Sequence, residues 1–129
     1  MNTFIILVTS FVSYIILDLL WLGVVAKPLI TRWLSPWMIG GFKIWPAAIV
    51  YLLLAIGTTV FVLPKAVNIG TAALYGALLG LIIYGVYDMT NLSTITNWPT
   101  AFAFVDMAWG TVSGGLIAMV MFTVSKLFK

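Results

Sequence analysis

From Phe4 to Ala26 the chain reads FIILVTSFVSYIILDLLWLGVVA, an apolar run in which Asp18 is the single charged residue. At about 1.5 Å of rise per residue, a helix of that length covers the roughly 30 Å hydrocarbon layer of a bilayer. The run lacks the basic leading region of a secretory signal peptide, so it is read as a retained transmembrane helix. Composition agrees: 64% of the 129 residues are hydrophobic and 7% charged, which places the chain outside the usage of soluble domains.

Outward from this run, prolines and lysines punctuate the sequence. Lys27-Pro28 is expected to stop the first helix, because proline removes a backbone donor and disfavours helix in the residue before it. A connector from Lys27 to Lys43, rich in Pro, Gly and Trp, suits the headgroup layer, with room for a short interfacial helix around Leu29 to Leu34. A second helix is predicted over 46–63, opening at Trp45-Pro46 and ending at Pro64-Lys65. A third covers 70–92; its last turns become polar in the run from Asp88 to Asn97, a hydroxyl and amide cluster that reads as loop. A fourth covers 99–124, opening at Pro99. The fold expected is all-α, an integral membrane four-helix bundle in one domain spanning residues 1–129.

Four spans put both termini on one side, A, and the first and third connectors on the other, B. Counting inward along the helices puts Asp18 about 12 Å, Asp106 about 10 Å and Asp88 about 6 Å from the side B ends. All three acids thus belong to one half of the bilayer. The six tryptophans share that half: Trp33, Trp37, Trp45 and Trp98 at the interface, as anchors, and Trp21 and Trp109 each three residues after an aspartate, on the same helical face. Lys27, Arg32 and Lys43 lie on side B, against Lys65, Lys126, Lys129 and the terminal amine on side A, a slight positive-inside preference for termini in the cytoplasm.

A carboxylate inside a bilayer costs about 2.5–3.5 kcal/mol on insertion scales, so three in so small a chain ask for a common explanation. Helical spacing groups Tyr14, Asp18 and Trp21 on one stripe, Tyr84, Asp88 and Asn91 on a second, and Asp106 and Trp109 on a third; Thr90 adds a hydroxyl beside them. The expectation is one ligand- or proton-binding pocket walled by aromatics, with Asp18 and Asp106 most important and Asp88, nearest the interface, most tolerant. Hydrogen bonding from helix to helix is the structural alternative for each acid. Gly76 and Gly80 on the third helix and Gly110, Gly114 and Ala118 on the fourth make small-residue faces that bring these two helices together, or join copies of the chain in a homo-oligomer.

Several chemistries drop out. There is no cysteine or histidine, so thiolate and imidazole chemistry and the common zinc and haem ligands are excluded. The basic residues are scattered, which excludes a nucleic-acid surface. Oxygen ligands of the aspartate kind suit magnesium, calcium or manganese, but the spacing is not diagnostic, and no metal or cofactor is assigned. The short echo between Asp18-Leu-Leu-Trp21-Leu-Gly23 and Asp106-Met-Ala-Trp109-Gly110 is read as shared packing rather than as an inverted repeat.

Those same residues, with Tyr87-Asp88-Met-Thr90-Asn91-Leu-Ser93-Thr94 and the following Trp98-Pro99, resemble the bacterial predicted membrane proteins of domain-of-unknown-function family 2177. The resemblance covers essentially the whole chain; Ser93 stands where alanine is expected. It implies a small multi-pass protein of the bacterial inner (cell) membrane and brings no assigned activity, although family members encoded near lipid-modifying enzymes point toward a lipid-like ligand. The function expected is binding or proton-linked transport of a small solute or lipid-like molecule, with membrane lipids as surroundings. An intramembrane enzyme using aspartates as acid and base, and an accessory membrane subunit, are the alternatives.

Overall fold

A computed structural model describes residues 2–38, 40–41 and 43–128. It contains four helices long and apolar enough to cross a membrane: α1 (Thr3–Trp37), α2 (Ile44–Lys65), α3 (Ile69–Thr94) and α4 (Thr100–Leu127). Lys129 and the amine of Met1, counted above with side A, lie outside the described residues. The outward faces are apolar: Ile16, Leu53, Leu74, Val86 and Phe104 are each more than half exposed, as suits contact with lipid tails.

Local chemistry explains most helix ends. Asn68 caps α3 by accepting from Thr71 N at 2.9 Å, while Thr71 Oγ1 accepts from Asn68 N at 3.0 Å, a reciprocal capping box. The turn before α2 holds Gly40 and Gly41 at φ of 103° and 85°, a left-handed conformation that side chains disfavour. Pro99 stands just ahead of α4, which begins at Thr100.

Two expected ends are corrected. α1 does not stop at Lys27-Pro28: the chain widens into a π-helical turn over Trp21–Ala26, resumes as α-helix over Lys27–Leu34 and tightens over Ser35–Trp37. Proline is tolerated because it falls in the first turn of the resumed segment, where its missing donor costs little. The polar run after Asp88 does not open a loop at once, since α3 continues to Thr94. Ser93 Oγ and Thr94 Oγ1 donate to the Thr90 carbonyl at 2.9 and 2.7 Å, so these hydroxyls are satisfied by the helix itself.

α3 and α4 form the closest pair. A Cβ at Gly80 would overlap the carbonyl oxygen of Gly110, and one at Gly76 that of Gly114. With no side chain at these four positions, the backbones touch, as the small-residue faces predict. α1 packs on α2 and α4, with Ile6, Tyr14, Leu54, Leu63, Ile117 and Met121 forming the core between them. α2 meets α3 mainly through Thr58–Lys65, next to their shared loop, while Ile44–Gly57 scarcely touches it. The two helices therefore diverge toward side B. The extension of α1 lays Ile30, Trp33 and Leu34 against Trp98, Phe102 and Ala103, closing the side B end of α4.

Candidate functional site

The three aspartates do not share one pocket. Asp18, on α1, is bound from two other helices: Tyr51 Oη of α2 donates to Oδ2 at 2.7 Å, and Trp109 Nε1 of α4 donates to Oδ1 at 3.2 Å. Trp21 stacks on Trp109, ring centres 4.5 Å apart and planes 4° from parallel. One turn earlier, buried Tyr14 makes a 2.8 Å hydrogen bond with Thr58 of α2. Thr58 also donates to the Leu54 carbonyl at 3.0 Å, so its oxygen accepts from the tyrosine. The crevice here, which Tyr84 and Ser113 also line, has no space for a water-sized sphere. Asp18 is a satisfied acceptor that ties α1, α2 and α4 together.

Asp88 and Asp106 form the second group. The register set by the glycines places Tyr84 against Gly110. One turn further along α3, and one turn earlier on α4, the Asp88 and Asp106 carboxyls face each other. Asp88 is completely buried, and among the described residues no N–H or hydroxyl donates to either of its oxygens. Asp106 is half-buried and lines a groove of about 390 Å³ with Val50 and Leu54 of α2 and Ile83, Tyr84 and Tyr87 of α3. This groove is the space left where α2 and α3 diverge. No lysine or arginine occurs between Lys65 and Lys126, so neither α3 nor the side B half of α4 supplies a cation to this pair.

The single three-carboxyl pocket is therefore replaced by a pair and a separate third member, with Tyr84 bordering both the Asp18 crevice and the groove. Among the described residues, no group of three Asp, Glu, His or Cys side chains could hold a metal ion. Burial within the bundle follows a different order from the depths counted along the helices: Asp88 is the most buried of the three. Trp98 is buried among Trp37, Phe102 and Tyr87. Trp98 is thus a core residue rather than an interfacial anchor, and its indole N–H has no hydrogen-bond partner among the described residues. Trp45, 69% exposed, keeps a position suited to anchoring.

The remaining residues divide between these groups. Asn91 is half-buried beside Tyr87, one turn away, and Thr90 is exposed. Sequence reasoning misses Tyr51, Thr58 and Tyr87. Tyr51 carries a readable signal, a phenol in the middle of an apolar span at the depth of Asp18. Thr58 and Tyr87 carry none, since a threonine can bond its own helix and a tyrosine near a helix end passes for an anchor.

A model of the family described as "Predicted membrane protein (DUF2177)" matches residues 3–123. No curated protein and no solved structure matches the chain.

Proposed function

We propose that this chain, which belongs to the DUF2177 family of predicted membrane proteins, binds a lipid-like molecule in the groove between α2 and α3 and couples its movement to a proton held by Asp88 and Asp106. The setting proposed is the inner membrane of a bacterium. The observation that carries this reading is the buried Asp88 carboxyl, with no polar partner among the described residues except Asp106, which it faces and which lines a groove of about 390 Å³. Two facing carboxyls repel when both are charged, and a proton held between them relieves that repulsion. The groove walls combine apolar side chains with two tyrosines, the mixture an amphiphile requires. Access is lateral: Val50 is 51% and Tyr87 53% exposed on the bundle's lipid-facing surface.

Native mass spectrometry of the protein extracted into mild detergent tests the binding. The wild type is expected to retain an adduct of lipid size. Ile83→Trp, which fills the groove, should lose it, and Ile82→Trp, whose parent side chain is 52% exposed and does not line the groove, should keep it. Equal adducts on both variants would overturn the reading.

A further inference from the structure

We infer that the molecule taken up in this groove carries a protonated amine on an apolar chain. The inference rests on the groove-binding reading above and adds the chemistry of the head. Burying a carboxyl without hydrogen-bond donors is costly, and more so in a bilayer. Apart from a proton shared with Asp106, no donor among the described residues reaches the oxygens of Asp88, and α3 has no basic residue to neutralise the pair. A head suited to this pair therefore brings two things, positive charge and N–H or O–H donors.

Few heads bring both. A phosphate or carboxylate would meet two carboxyls of its own sign. A neutral alcohol offers one donor and no charge. A quaternary ammonium has the charge but no N–H, and its methyl groups hold the charge away from the oxygens. A protonated primary amine is small and offers three donors to Asp106, which lines the groove, with the Asp88 carboxyl facing it from behind. Tyr84 and Tyr87 border its place, and aromatic faces attract such cations. The tail would lie along Val50, Leu54 and Ile83. When the ammonium enters, the proton shared by the carboxyls leaves, so one positive charge replaces another and the site keeps its net charge.

Equilibrium binding of radiolabelled dodecylamine to the protein in lipid nanodiscs, read by scintillation proximity, tests this. Saturable binding is expected, displaced at least tenfold better by unlabelled dodecylamine than by dodecanol, dodecanoate or dodecyltrimethylammonium. Asp106→Asn and Asp88→Asn should each weaken it at least tenfold; the competitor series on the wild-type protein decides the matter even if neither variant folds. Should dodecanol compete as well as dodecylamine while Ile83→Trp blocks both, the amine is the wrong head and the groove reading survives. Should Ile83→Trp leave dodecylamine binding unchanged, the groove reading fails, and this inference with it.

Discussion

Two carboxyl sites lie in the same half of this membrane bundle and differ in almost every physical respect. At Asp18, donors from α2 and α4 fill both oxygens, a pair of stacked tryptophans lies alongside, and the adjoining crevice has no space for water. At Asp88, the facing group is another carboxyl, no N–H or hydroxyl among the described residues donates to it, and the facing carboxyl opens on a groove. A polar group satisfied within a membrane protein holds helices together with a modest net gain. One without such donors beside a groove costs stability, and the binding we propose would offset that cost. The bilayer depth of an aspartate therefore does not tell its role; its donors do.

The largest effect on this contrast should come from the contact that sets the α3–α4 register. Leucine at Gly80 cannot fit against the Gly110 carbonyl, so the helices must separate and Asp88 must leave Asp106. Overpacking of this kind costs about 1–3 kcal/mol, and more where backbone is struck. Size-exclusion chromatography of Gly80→Leu is expected to show loss of the monodisperse species. A wild-type elution profile and melting temperature would mean that the glycine contact does not hold the pair.

A smaller loss is expected at Asp18. Asparagine there keeps an acceptor for Trp109 Nε1, but its N–H₂ meets Tyr51 Oη as a donor, so the phenol must turn its own hydrogen away and its bond to residue 18 is lost or reversed. Losing such a hydrogen bond costs about 0.5–1.5 kcal/mol. Thermal melting of Asp18→Asn followed by tryptophan fluorescence should show a clear decrease, with dodecylamine affinity within a factor of a few of wild type. Unchanged stability with binding abolished would move Asp18 from the structural group to the functional one.

The four spans are legible because lipid imposes so strong a pattern: apolar runs of fixed length, with proline and lysine between them. Pro28 misleads because the sequence does not announce the π-helical turn over Trp21–Ala26 that lets the helix continue through it. The α3–α4 contact is legible from Gly76, Gly80, Gly110 and Gly114, since small residues at that spacing have few other uses in a membrane. The aspartates can be found in the sequence, and their partners cannot. Spacing along one helix pairs Asp106 with Trp109, whereas the folded bundle gives the Trp109 indole to Asp18 on another helix. Periodicity reports which face a residue occupies, and only the packing of helices decides what that face meets.

The central claim is that Asp88 serves binding and Asp18 serves the fold, and Asp88→Asn tests it most directly because one substitution separates the two. The new amide can donate to the Asp106 carboxyl and removes the facing like charge, so thermal melting should give a midpoint equal to or above that of wild type. A fall as large as that of Asp18→Asn would show that Asp88 holds the bundle together and would contradict the division of roles.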